Sequence, residues 1–195
     1  MRTFFTILAV LALAASLPAI TKTWTGAEFL MEWGLDGNWS PAGVPTASDD
    51  VIIPSGLGGY PTTAFSPGVC NNLTIQSGAR VTVSGNHLTV NGAMTNSGEL
   101  RMTSANGQLT VYGTLTWASG STANITNASA TINCRSHVNF NYESNVVMAM
   151  GYLNFTGSTW SYLTNHSDAT ELNTVTVAKT GGPALAFRSN TSSPL

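Results

Sequence analysis

The side chains best suited to proton transfer or metal binding are few in this 195-residue chain: nine carboxylates, three histidines and two cysteines. The acids are Glu28, Glu32, Asp36, Asp49, Asp50, Glu99, Glu143, Asp168 and Glu171. Cleavage of a polysaccharide would need two of them close together, or carboxylates with calcium and an Arg or Lys base, on one outer surface. Glu99 and Glu143 come nearest, two coils apart on one face of the repeat set out below, with neutral Thr122 between them. Asp49-Asp50 invites a calcium reading, but two adjacent acids without further ligands in register read better as a turn ahead of Val51-Ile52-Ile53. His87, His137 and His166 fall on different parts of the coil, and none pairs with a suitably spaced acid. No Ser-His-Asp, HExxH or phosphate-loop pattern occurs. No catalytic, cofactor-binding or metal-binding residue is therefore assigned, and no cofactor is expected.

The elements that must position these side chains are short. From Asn71 to Tyr162 an apolar–polar–apolar triplet keeps returning, as in Leu73-Thr74-Ile75, Leu88-Thr89-Val90, Leu109-Thr110-Val111 and Leu115-Thr116-Trp117. Alternation with period two is the mark of a strand with one buried face, and the Gly, Asn and Ser between triplets turn corners at little cost. The triplets fall into three interleaved series. Leu88, Leu109, Ala130, Leu153 and Val175 form one; Leu73, Met94, Leu115, Val138 and Trp160 form the second; Val81, Leu100, Ala123 and Val146 form a looser third. Three strands in a repeat of about 22 residues describe an all-β chain winding through three faces per coil, a single-stranded parallel β-helix. Fold-level chirality makes it right-handed. A β-sandwich also yields short strands at regular spacing, but gives its loops no reason to keep two series in matching steps.

Between the inward residues lie outward ones, and they form ranks. Thr89, Thr110, Thr131, Asn154 and Thr176 make one flat, neutral rank; Thr74, Thr95, Thr116, Asn139 and Ser161 make another. The first rank is the candidate contact surface for a glycan or another surface. Its flanking positions, His87, Asn91, Gln108 and Tyr112, break the second parallel row that ice binding would use. The inward positions turn aromatic toward the C-terminus with Trp117, Phe140, Phe155, Trp160 and Tyr162, so the bore is expected to widen there.

The chain ends are read as follows. Residues 1–19 have the form of a signal peptide: Arg2, an apolar run from Phe4 to Leu17 too short to span a bilayer, then small residues. Residues 20–50 hold Trp24, Trp33 and Trp39 and are read as a cap over the first coil, with an aromatic platform for sugar rings as the alternative. Residues 51–195 form the β-helix. Only 8% of residues are charged, and loss of Arg2 moves the net charge from −2 to −3. Nothing in that balance attracts nucleic acid, and no membrane insertion is expected after cleavage. Export favours disulfides, yet Cys70, Asn91, Tyr112 and Cys134 count out as one corner of successive coils. Three steps of ~4.8 Å exceed the reach of a disulfide, so both thiols are expected to be free.

The motifs carry a resemblance. Asn38-Trp39, Val44-Pro45, Asp50-Val51-Ile52-Ile53-Pro54, Cys70-Asn71-Asn72-Leu73-Thr74-Ile75 and Leu172-Asn173-Thr174-Val175-Thr176-Val177 resemble the N-terminal β-helical region of large secreted surface proteins. Those proteins belong to Bacteroidetes and related Gram-negative bacteria and are secreted by the type IX route. The resemblance covers about residues 23–182 and implies an extracellular or cell-surface, adhesin-like module whose partner is a glycan or a cell-surface ligand. Such proteins run on to a C-terminal sorting domain, so a chain stopping at Leu195 is expected to be a fragment. The alternative function is a carbohydrate-active enzyme, a lyase or hydrolase on a β-helix, with its site unrecognised or in a missing C-terminal part.

Overall fold

A computed structural model describes residues 19–141, 144–165, 171–181 and 185–189. The expected signal peptide, together with Glu143, His166 and Asp168, lies outside the described residues apart from position 19. The chain is an all-β solenoid of about 6 turns with about 22 residues in each, built of parallel sheets and nearly without helix.

Three faces stack along the axis. The first comprises Thr21–Trp24, Asp50–Ile53, Leu73–Ile75, Met94–Asn96, Leu115–Trp117, Val138–Phe140, Ser161–Asn165 and Leu185–Ser189, each parallel to the next. The second comprises Gly68–Cys70, His87–Val90, Gln108–Val111 and Thr131–Cys134. The third comprises Arg80–Thr82, Glu99–Met102 and Thr122–Ile125. The long strand Asn145–Gly157 joins the second and third faces, because its two ends extend one each. Its bend falls between Met148 and Tyr152, where Gly151 adopts a φ of 86° that only glycine holds without strain.

Inward residues stack in columns, as period-two alternation requires. Val51, Leu73, Met94, Leu115 and Val138 are all fully buried in register on the first face. Val81, Leu100, Ala123 and Val146 stack on the third. The column beside the first contains a polar rung. Asn96 is wholly buried between Ile75 and Trp117, where its Oδ1 accepts the Gly98 N–H at 3.1 Å and its Nδ2 donates to Thr122 O at 3.3 Å. Above it Trp117 and Phe140 stack with centroids 6.3 Å apart and planes 17° from parallel.

The register differs from the sequence expectation in three places. Ile132, not Ala130, faces Leu109 and Leu153; Ala130 lies at the corner, its carbonyl accepting the Tyr152 N–H at 2.9 Å. A slip of two residues keeps the inward face inward, so both alanine and isoleucine satisfy the pattern and only the corner length chooses. Leu163, not Trp160, continues the column above Val138. That slip of three reverses the faces: Trp160 is 56% exposed, Tyr162 is half-buried and Ser161 is buried. The aromatic run in the bore thus ends at Trp117, Phe140 and Phe155. Finally, Val90 and Val111, not Asn91 and Tyr112, separate Cys70 from Cys134.

The N-terminal segment combines a strand with a cover. Thr21–Trp24, within the segment read as a cap, already runs parallel to Asp50–Ile53 in the first face. On its other side the two-residue strand Trp39–Ser40 pairs antiparallel and interrupts the parallel stack, which blunts the sheet edge. Trp24, Trp33 and Trp39 are at most 3% exposed and meet edge-on, with Trp39 centred 5.0 Å from Trp24 and 4.9 Å from Trp33. Their burial removes the sugar-platform reading. Buried Asn38 ties this segment together: it accepts the Glu28 N–H at 2.9 Å and donates to Leu30 O at 2.8 Å and Glu32 O at 3.1 Å.

Candidate functional site

The outward rank of the second face is Val69, Thr89, Thr110, Asn133, Asn154 and Thr176. Four of the five residues expected there, Thr89, Thr110, Asn154 and Thr176, stand in one line. Thr131 does not. It lies two residues aside with Gln108 and Tyr152, and Asn133 takes its place because of the two-residue slip. Asn154 Nδ2 donates to Asn133 Oδ1 at 3.1 Å, a rung of side-chain bonding between coils. At the border of this strip the Arg135 guanidinium lies 4.2 Å from the Tyr112 ring centroid. The first face carries a similar rank, Thr74, Thr95, Thr116, Asn139 and Thr164, with Thr164 where Ser161 was expected.

The third face is different. Arg80, Glu99, Thr122 and Asn145 are in register, with Thr82, Arg101, Asn124 and Val147 beside them. Arg101 donates through Nε at 3.1 Å and Nη2 at 2.8 Å to the same oxygen of Glu99, while Arg80 Nη1 stands 3.8 Å from the other oxygen. Arg80 also leans over Tyr60, 5.8 Å from the ring centroid, and the Tyr60 hydroxyl donates to Gly78 O at 3.1 Å. Thr122 adjoins Glu99 as the sequence suggested, and Asn145 occupies the next rung. Arg80 and Arg101 were not singled out from the sequence, where the carboxylates and histidines were the candidates. The signal was available, since Arg101 stands two residues from Glu99 and must share its face.

The remaining polar groups hold structure. Asp49 is buried and accepts the Thr46 N–H and hydroxyl, both at 2.8 Å, and the Ile20 N–H at 3.3 Å. Burial by itself raises its pKa, but these donors and the charge of Lys22 outweigh burial, so the carboxyl titrates below its ordinary value. Asp50 accepts from Asn71 Nδ2 and from the N–H and Nδ2 of Asn72, which stitches the first coil to the second. Lys22 is inward-facing and 5% exposed, with its ammonium donating to Pro41 O at 3.0 Å and Ala42 O at 2.8 Å.

Lys179 and Ser161 have the look of a base and a nucleophile, at 2.5 Å. Lys179 Nζ, however, also donates to Thr159 O at 2.9 Å and Arg135 O at 3.5 Å. Burial lowers the Lys179 pKa, but its Nζ is engaged with these oxygens and Ser161 is wholly buried, so no substrate reaches the pair. His137 Nδ1 accepts the Tyr162 N–H at 3.1 Å. Among the described residues no group of three His, Cys, Asp or Glu side chains is placed to hold a metal ion, and no helix is long and apolar enough to cross a membrane.

Residues 23–180 match a family described as a domain of unknown function, DUF8693. The chain belongs to that family. No curated protein and no solved structure matches it. The matched span of this DUF8693 chain starts inside the strand Thr21–Trp24 and ends just past Glu171–Lys179. It therefore takes in the antiparallel cover, the second and third faces, the first face except its ends, and both outward Thr/Asn ranks.

Proposed function

We propose that this DUF8693 chain is an exported, cell-surface contact module, non-catalytic, in the manner of the large secreted surface proteins its motifs resemble. The observation that carries the reading is the pair of outward Thr/Asn ranks, flat and neutral, held at fixed spacing by a rigid column of apolar side chains. Regular strands stacked at ~4.8 Å present hydroxyls and amides as a repeating template, suited to a ligand that itself repeats, such as a glycan. Bond cleavage asks for something else, a group of shifted pKa free to accept or donate a proton. Glu99, the acid at the middle of the third face, is instead engaged by Arg101 and flanked by Arg80.

The test is binding of the purified chain to a panel of neutral and charged glycans and to bacterial and host cell surfaces. Saturable binding lost in the Thr89→Glu, Thr110→Glu double variant supports the second-face rank as the contact. Release of saccharide products above a boiled control, lost in Glu99→Gln, would put a carbohydrate-active enzyme in its place.

A further inference from the structure

Two shallow hollows, of about 280 and 290 Å³, adjoin on the third face and share Glu99 and Thr122. Tyr60 and Arg80 wall the first; Asn124 and Asn145 wall the second. Because Arg80, Glu99, Thr122 and Asn145 are consecutive rungs, the hollows join into one trough running along the solenoid axis. Its turn glycines keep it open. Gly78 and Gly120 have φ of 79° and 74°, and a side chain begun at Gly120 would meet nothing within 4 Å.

The rungs recur every ~4.8 Å, close to the rise of one pyranose unit in an extended chain, so successive sugars would meet successive coils. The charges differ from end to end. Two guanidiniums stand against one carboxylate at the Arg80 end, which leaves one positive charge unbalanced among these three side chains. Arg80 contacts Glu99 only at 3.8 Å, beyond hydrogen-bond reach, and its side chain is 38% exposed and lines the first hollow. A planar guanidinium matches a carboxylate or sulfate with two parallel bonds. Further along, exposed Thr122, Asn124 and Asn145 offer neutral donors and acceptors of the kind that pair with sugar hydroxyls.

We propose that this trough binds an acidic polysaccharide strand lying along the solenoid axis, with a carboxylate or sulfate of the sugar seated at Arg80. The inference rests on the surface-contact reading and names its ligand class, but it uses the third face instead of the second.

Calorimetric titration of the full chain with alginate oligosaccharides, dextran sulfate fragments and neutral dextran of equal length tests it. One or both anionic ligands should bind saturably, more weakly as salt is raised, and at least about tenfold more tightly than neutral dextran. The alginate and dextran sulfate arms tell a carboxylate from a sulfate. Arg80→Ala and Thr122→Trp should each weaken binding at least about tenfold with the melting curve unchanged. Glu99→Gln should strengthen it several-fold, since both guanidiniums are then released to the ligand; a merely structural Glu99 would give the opposite sign. Absence of binding by both anionic ligands, indifference to Arg80→Ala and Thr122→Trp, or weakening in Glu99→Gln would each overturn the trough. If glycan or cell-surface binding then persists and is lost in Thr89→Glu, Thr110→Glu, the contact reading stands without the trough; if no binding of any kind is found, both fall.

Discussion

Cys70 and Cys134 stand in one interior column, three coils apart, with Val90 and Val111 between them. Three strand spacings come to roughly 14 Å, about twice what a disulfide spans. Both thiols are free and fully buried. Burial pushes the Cys70 thiol far up, with the Asp50 charge adding to it, and pushes Cys134 up to about 12, with Lys179 opposing slightly. Mass spectrometry without reduction should show no bridge, and a thiol reagent should label both cysteines only after denaturation.

Those shifts set an alkaline dependence of stability. Below the unfolded thiol pKa of about 8.5 the folded and unfolded states are both neutral, and the thiols add no slope. Above it the unfolded chain loses protons that the folded chain keeps up to about 12 at Cys134. Stability should therefore fall by about 1.4 kcal/mol per pH unit for each thiol as pH rises through this window. Urea melts between pH 8 and 10 should show a shallower decline in the Cys70→Ala, Cys134→Ala double variant than in the parent chain. Equal slopes would mean that the thiols ionise in the fold.

Leu109 is fully buried between Leu88 and Ile132, and Thr110 points outward beside it. Leu109→Asp places a charge without a partner in the apolar column and should prevent folding. Thr110→Val should cost less than about 0.5 kcal/mol, as most surface changes do. Circular dichroism melts of the two variants check this; similar stability would mean that the faces are wrongly assigned.

Asn38 bonds to three backbone groups of the N-terminal segment while wholly buried. Leaving such groups unpaired costs about 1–3 kcal/mol each, so Asn38→Ala should lower stability by about 3 kcal/mol or more. Asn38→Asp should be worse at pH 7, because its second oxygen would face the carbonyls of Leu30 and Glu32 in place of an amide donor. Urea unfolding of the pair measures it, and a milder effect of aspartate would argue against this hydrogen-bond set. Asn38 begins an Asn-x-Ser sequon, but its buried amide has no room for a glycan.

The purified chain should release no product from pectin, alginate, chondroitin or xylan, with or without calcium. The reason is local: Arg101 donates two hydrogen bonds to one Glu99 oxygen and Arg80 stands 3.8 Å from the other, so the acid at the middle of the third face is set against guanidiniums on both sides. Reducing-end assays and absorbance of unsaturated products check it.

The sequence by itself determined the architecture, the repeat and the side of the sheet on which most residues lie. Alternation with period two states which residues are inward, and steps near 22 state that a strand meets its copy one coil on; both are local and survive any small error in pairing. It also supported free cysteines, since their separation along the axis depends on the number of coils between them and not on which residues fill those coils. What only the tertiary structure decided is register and neighbourhood. Ala130 and Ile132 fit the inward pattern equally well, and the choice lies in how tightly the corner before Thr131–Cys134 is wound. The corner before Ser161–Asn165 takes up three residues more, which turns Trp160 out and Leu163 in. The grouping of Tyr60, Arg80, Glu99 and Arg101 depends on the same thing. Tyr60 lies outside any strand, so no periodicity places it, and only the packing of its loop over the third face brings its ring under Arg80.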